Sequence, residues 1–436
     1  MNIYIIIEIK KRELSSRLLL ALEAAKRGHD VYLGDVTPYF KRNLFEPGIV
    51  HHKSLSPGIQ RISQLKEFKN KNFLCTSQDE ESGHTNDHPK EYISLRYGKK
   101  TIELSEKIFT WGKFDYQNLV KKYSKFKNKF SNTGNPRIDL WKKKNKGFFN
   151  KNVIRFKDYV LVSSNFETIC GYRNLPNTIH WLRELGYFDR GLTEESIIER
   201  ASKEQLIFDD FVKLIKKIST TFSKKKIVFR PHPIEKVSDW EKIFFNYKNI
   251  LIDNSNDIGD WITNSSLVIH NGCTGGLEAS LRNKNVISFS PKGLNIGHKI
   301  SNLVSQNFTN IDDAIRGIKK SFRKKDKNKK KIKEIKKRFE NYYNLDAYLS
   351  IVNEWEKINK KDLNNDNNIN KIRVFSKLKE IKSNFKKNKK ESYKFSSFTP
   401  QEIKLLHRKI CKVDKNFKNI KIDIISKKLL RIYKRV

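Results

Sequence analysis

Apolar and polar positions alternate over the first 140 residues in a pattern that predicts strand, helix, strand. An apolar run over residues 3–9 reads as a strand, and a helix follows from about 14 to 26 with Leu18, Leu19, Leu22 and Ala25 inward. Gly28 then breaks the helix and residues 31–33 form a second strand. A helix over 58–67 leads into a strand over 72–76, which runs into Ser77-Gln78-Asp79-Glu80-Glu81-Ser82-Gly83. Loops at the carboxyl ends of parallel strands are where open α/β sheets place ligands. A strand over 107–110, a helix to about 122 and the turn Thr133-Gly134-Asn135-Pro136-Arg137 close this unit.

The alternation then restarts. A strand over 159–163, an aromatic-rich loop over 172–187 and a long helix over 194–222 precede a strand over 226–229. Strands over 249–252, 266–270 and 285–289 follow, with helices over 258–263 and 276–282 between them. The expected fold is therefore α/β, with two Rossmann-like, doubly wound domains facing a cleft. The expected boundaries are 1–150, 151–345 and 346–436, the last a basic helical extension with a polar linker near 360–371.

Composition changes the picture in two ways. Apolar residues make up 37% of the 436 and aromatics 11%, enough to bury a substantial core. No run of about 18 apolar residues occurs, and the amino terminus lacks a basic n-region and carries Glu8 within its apolar run. A cytoplasmic protein is expected, with Cys75, Cys170, Cys273 and Cys411 as free thiols. Lys and Arg number 90 against 48 acids, a net charge of +42 that suits nucleic acid or anionic lipid. The charge is spread as Lys-Lys and Lys-Asn pairs, and no RNP, KH, zinc-finger or helix-turn-helix signature accompanies it, so nucleic acid is not the expected partner.

Two segments of the second unit carry candidate phosphate chemistry. In Arg230-Pro231-His232-Pro233 a buried strand ends in a planar guanidinium fork and an imidazole, with proline on both sides of the histidine. A turn in which the histidine caps a neighbouring helix is the plainer alternative. Asn271-Gly272-Cys273-Thr274-Gly275-Gly276 joins a strand to a helix, where unpaired amides attract an anion and glycines let it approach. Thr274 adds a hydroxyl, and Glu278, one turn on, can accept hydrogen bonds from ribose. A tight strand-to-helix connection would also use such glycines.

In the first unit, Asp79, Glu80 and Glu81 crowd three carboxylates into one strand-end loop, where mutual repulsion can raise a pKa and create a general base. Solvated loop acids are the alternative. His84 and His88 have a spacing that could hold a metal, but no further ligand is evident and no metal is expected. Glu8, Lys10, Lys11, Arg12 and Glu13 follow the first strand and are expected on the same cleft; Glu8, Lys11 and Arg12 are the candidates for holding an acceptor sugar.

The ordered set IYIIIEIKKREL, LLLALEAAKRGHDVYLGD, DEESG, TGNPRIDL, RPHP and HNGCTGGLEA resembles the bacterial surface carbohydrate biosynthesis protein family over about residues 1–345. The resemblance implies a GT-B-type glycosyltransferase whose second domain holds the donor nucleotide. There is also a distant similarity to sialyltransferases and polysialyltransferases that use CMP-sugars. It implies that an acid among Asp79, Glu80 and Glu81 is the base, with Glu80 first, and that His232 contacts the donor phosphate. Ser82 before Gly83 departs from the acidic motif of those enzymes, and Cys273-Thr274 matches their Ser/Thr motif in part. Arg230 and His232 are also similar to the RxHP of transferases that use CDP-alcohols.

The expected function is a cell-surface polysaccharide glycosyltransferase using a CMP-activated nonulosonic acid or Kdo, with a glycan or lipid-linked acceptor and no cofactor beyond the nucleotide-sugar itself. A UDP-sugar transferase or epimerase, a CDP-alcohol phosphotransferase and a non-enzymatic nucleic-acid-binding protein are the alternatives. Ile422, Ile424, Ile425, Leu429, Leu430 and Ile432 alternate with Lys421, Lys427, Lys428 and Arg431, which would suit a basic amphipathic segment on an anionic membrane or a helix packed on the core.

Overall fold

The amino-terminal apolar run is strand β1 (Asn2–Ile6) in the computed structural model of the chain, and the helix Lys10–Lys26 links it to the parallel strand β2 (Asp30–Gly34). Residues 1–81, 89–149, 155–294, 299–324, 333–335, 338–339, 342–343, 345–358 and 395–434 are described. The strand ends three residues before the expected 9, because the helix already starts at Lys10, where Glu13 accepts the backbone N–H groups of Glu8 (2.9 Å) and Ile9 (3.2 Å). Strands β3 (Gly48–His52), β4 (Leu74–Gln78), β5 (Lys107–Thr110) and β6 (Phe130–Asn132) continue the sheet in parallel, giving the order β2-β1-β3-β4-β5-β6. One face is aromatic, with Tyr4, Tyr32, Phe40, Phe68 and Phe73 in one cluster. On the other lies the Lys10–Lys26 helix, whose Leu18, Leu19, Leu20, Ala21 and Leu22 are all fully buried, an apolar stretch running round the helix where neighbours cover it.

The second unit is built on β7 (Tyr159–Ser163), β8 (Ile227–Arg230), β9 (Ile250–Ile252), β10 (Ser265–His270), β11 (Asn285–Phe289) and β12 (Gln306–Phe308). All pair in parallel, in the order β9-β8-β7-β10-β11-β12. The order reverses direction at β7/β10, the topological switch point of an open parallel sheet. The long helix Glu194–Thr221 starts where Thr193 and Ser196 exchange side-chain-to-backbone hydrogen bonds (3.2 and 3.3 Å), and it presents Ile207, Phe211, Leu214, Ile215 and Ile218 to the sheet.

The carboxyl-terminal segment departs from expectation. The described residues from 338 onward belong to the first unit rather than to a separate extension. They contain the helices Ala347–Lys357 and Pro400–Ile410, and then a hairpin of β13 (Ile420–Ser426) and β14 (Leu429–Lys434). β14 pairs antiparallel with β2, which makes the first sheet eight-stranded and mixed. The alternation over 420–434 has a period of two, that of a strand, and Leu429, Leu430 and Ile432 are fully buried in the first unit. These three apolar side chains are thus committed to the protein core and do not form a helical membrane face. The polar linker at 360–371 falls outside the described residues. No described helix is long and apolar enough to cross a membrane.

Candidate functional site

Three loops meet at the carboxyl edge of the second sheet. The register sets Ser163 beside both Arg230 and His270, so the RPHP turn and the Gly-rich turn flank the end of β7. The loop after β7 knits them together. Ser164 donates its backbone N–H to the Arg230 carbonyl (3.4 Å), Asn271 donates Nδ2 to the Asn165 carbonyl (3.2 Å), and the Cys273 thiol donates to Ser163 Oγ (3.0 Å).

The Gly-rich turn is shaped by His270. Gly272 donates its N–H to His270 Nδ1 (2.9 Å), so Nε2 carries the proton and donates to Ser305 Oγ (2.9 Å). Burial pushes this imidazole down to about 3, and it is neutral. Its ring fills the space beside Gly276, where a Cβ would stand 2.2 Å from Nε2. Gly275 lies against Ile258, with 2.6 Å from a built Cβ to Cδ1, and Gly272 adopts φ +92. Each glycine thus has a use within the fold: Gly272 makes the turn, and Gly275 and Gly276 permit close packing. Thr274 is half-buried at the first position of the helix Thr274–Leu281.

The candidate phosphate residues differ in what remains available. Arg230 is buried and donates Nη1 to the Ser255 carbonyl and Nη2 to that of Asn256 (2.7 Å). This fork braces the loop after β9, so the expected use of both arms on phosphate is replaced by backbone carbonyls. Asn271 spends its amide donor on Asn165 and keeps Oδ1 buried without a protein partner, presenting an acceptor, which suits a hydroxyl or N–H and repels phosphate. Glu278 is buried and ion-paired with Arg282 (3.0 Å), which also donates to the Gly259 carbonyl (2.7 Å). It is engaged with its own helix and the helix Ile258–Asn264 instead of presenting a clear carboxylate to ribose. His232 is half-buried.

Glu235, which carries no motif, holds the RPHP turn in place. Fully buried, it accepts from Ser164 Oγ, from the Phe166 N–H (2.6 Å) and from Trp240 Nε1 (2.9 Å). Burial raises its carboxyl to about 7, although these donors work to lower it.

At the carboxyl edge of the first sheet, the three acids are separated by their partners. Asp79 is buried; its Oδ2 accepts Arg96 Nε (2.9 Å) and Nη2 (2.8 Å) and its Oδ1 accepts the Glu81 N–H (2.9 Å). Glu80 is buried and ion-paired with Arg17. Burial works to raise the Glu80 carboxyl, but Arg17, Arg137 and Arg12 together hold it below the usual range. A depressed, enclosed carboxylate is a weak general base, which counts against Glu80 as the first choice. Glu81, with its side chain 36% exposed, pairs with Arg12 at 3.1 Å. Glu8 is ion-paired with Lys53, Arg12 also approaches Glu13 (3.5 Å), and Lys11 is exposed. Ser82, Gly83, His84 and His88 lie outside the described residues.

Residues that belong to no sequence motif complete this edge. His51 and His52 end β3, both fully buried, with Nδ1 bonded to Thr76 Oγ1 (3.0 Å) and to Arg61 Nη1 (3.0 Å) respectively. Their Nε2 atoms, Arg17 Nε and Nη1, Gln78 Oε1, Glu80 Oε2 and Asn135 Nδ2 are all buried without a protein partner. Glu13 is pushed up to about 7, by burial above all. Histidines within an apolar strand and a helix-borne arginine carry no spacing signal, so pattern alone does not find them. Among the described residues, no group of three His, Cys, Asp or Glu is arranged to hold a metal.

No protein-family model matches the chain, and no curated protein matches it in sequence. Among solved structures, a putative UDP-N-acetylglucosamine 2-epimerase from Listeria monocytogenes is similar with a TM-score of 0.50 and 13% identity, over 82% of this chain and 98% of that one. The UDP-GlcNAc 2-epimerase of Methanocaldococcus jannaschii, in complex with UDP-GlcNAc and UDP, gives 0.48 and 15% over 82% and 99%. The wall teichoic acid polymerase TagF gives 0.48 and 10% over 83% and 88%. The Listeria likeness establishes the fold, and the chain has the two-sheet α/β architecture of GT-B proteins.

Proposed function

We propose that the chain is a nucleotide-sugar-dependent glycosyltransferase of surface polysaccharide synthesis whose donor phosphates lie at the β7/β10 switch point. The observation that carries this reading is the side-by-side register of Ser163, Arg230 and His270, which puts the RPHP and Gly-rich turns on either side of one strand end. The first-turn amides at Thr274 and the imidazole of His232 would take the phosphate charge as the bond from anomeric carbon to phosphate oxygen breaks. The acceptor hydroxyl oxygen forms the new bond and gives its proton to a carboxylate, for which Glu81, the least buried of its trio, is the better choice over Asp79 and Glu80. Arg230 and Glu278 support the walls of the site. The acceptor is a glycan or lipid-linked glycan, and Glu8, Lys11 and Arg12 remain the residues proposed to hold it.

CMP is the proposed nucleotide, on the resemblance of His232-Pro233 to the His-Pro motif of CMP-sugar enzymes. The Listeria fold match favours a second reading, a UDP-sugar epimerase. A thermal-shift titration with CMP, CDP, UDP and GDP tests both, since a ligand of the native state raises Tm according to its affinity. Stabilisation by CMP that is lost in His232→Ala supports the first reading. Preference for UDP supports the second, and CDP preference a CDP-alcohol transferase. No response to any of the four defeats the enzymatic proposal.

A further inference from the structure

β13 ends the first sheet, and among the described residues no other strand pairs with its outer edge. It is seven residues long, IKIDIIS, with neither proline nor glycine to blunt it. Ile420, Ile422 and Ile424 share one face, opposite Lys434, Ile432 and Leu430 of β14, and Ile422 and Ile424 are left half-buried at the rim. Lys421 and Asp423 share the other face. Lys421 is exposed, while Asp423 accepts the Tyr433 hydroxyl (3.0 Å) and stands across from Arg431, itself ion-paired with Asp30 (2.8 Å). A row of alternating charge thus runs from Asp30 through Arg431 and stops at Asp423 on the open edge.

We propose that β13 is a self-association edge, on which a second copy of this chain adds antiparallel about a twofold axis through Ile422, with Lys421 of each copy opposite Asp423 of the other. Two copies that continue one sheet keep their faces, so opposite residues have the same parity and the axis must pass through a residue. An axis through Asp423 sets two carboxylates against each other, and one through Ile424 sets Lys421 against Lys427; both are unfavourable. The axis through Ile422 makes two Lys–Asp pairs, sets Ile422 against itself and Ile420 against Ile424 twice, and extends the charge row by one cation. A lone lysine at a sheet edge ordinarily discourages pairing. Asp423, two residues on, supplies the counter-charge that lets this edge accept its own copy.

Sedimentation equilibrium of the full chain from about 1 to about 100 µM tests this, with a monomer–dimer equilibrium in the micromolar range expected. Lys421→Glu turns both pairs repulsive and should weaken association at least about tenfold. Because the side chain is exposed, its Tm should match that of the parent. Under mild oxidation Ile422→Cys should form an intermolecular disulfide, since directly opposed antiparallel Cα atoms lie roughly 4.5–5.5 Å apart, within disulfide reach. Lys421→Cys should not, its two copies being roughly 8 Å apart. A chain that stays monomeric over the whole range overturns the proposal. So does a dimer indifferent to Lys421→Glu, or equal cross-linking at 421 and 422.

Discussion

Trp240 donates its indole N–H to the Glu235 carboxylate at 2.9 Å, three residues beyond the histidine that this carboxylate helps to set. Burial lifts Glu235 to about 7, so the folded state holds this proton more tightly than the unfolded chain does. Its contribution to stability is complete below the ordinary Glu range and is lost as pH rises through about 7. Urea unfolding between pH 4.5 and 8 should therefore show stability falling from the lower end of that window to about pH 7 and levelling off above it, and Glu235→Gln should flatten the slope. Glu13, also near 7, and Asp139, raised by burial to about 6, contribute with the same sign.

Gly276 faces the ring of His270, and a methyl group there would stand 2.2 Å from Nε2. Gly276→Ala should cost about 1–3 kcal/mol in denaturant unfolding. His270→Ala, which vacates the ring, should relieve the clash, so the double variant should lose less than the sum of the two singles.

Arg17 and Glu80 form a buried ion pair. Arg17→Met leaves a carboxylate enclosed without its counter-charge and should destabilise by about 3–5 kcal/mol, whereas Arg17→Met with Glu80→Gln should recover much of that loss. A double-mutant cycle in urea measures the coupling.

Asp79 and Glu81 should separate by readout. Asp79→Asn weakens its contacts with Arg96 and the Glu81 backbone and should lower Tm. Glu81→Gln should leave Tm nearly unchanged and lower turnover by about 10²-fold or more in a sugar-transfer assay. Full turnover in Glu81→Gln would remove it as the base.

Lys10, at the start of the first helix, is buried and donates to Glu402 (2.6 Å) and to the Ser397 carbonyl (2.8 Å). Cutting the chain before residue 395 removes these partners, takes Leu429, Leu430 and Ile432 out of the core and opens the edge of β2. The shortened protein should be recovered mostly as aggregate, as solubility after high-speed centrifugation will report.

Strands with continuous apolar runs were legible in the sequence. The expected bounds of β5, β7 and β11 match the observed ones, because each is buried on both faces and centres on adjacent apolar residues. β3 was missed because its two terminal histidines look polar and their burial depends on partners remote in sequence, Thr76 and Arg61 among them. The tail differs from the expected helix because a strand and an amphipathic helix both interleave lysine with isoleucine, and the deciding fact, pairing with β2, lies almost 400 residues away. At the site, spacing marks the two turns proposed to face the donor phosphates. It could not reveal that Arg230 and Glu278 are spent on neighbours, nor that Glu235 and Arg17 stand behind the motifs. Those are tertiary contacts, invisible to local pattern.

The pairing of β14 with β2 also orders events during synthesis. A ribosome delivers β1 to β6 first, then the whole of the second sheet, yet the first sheet has its outermost strands only when residues 420–434 emerge. The second sheet can close on contiguous chain while the first waits with an open edge, so translation, and not thermodynamics alone, sets which half of the molecule is exposed to chaperones longest.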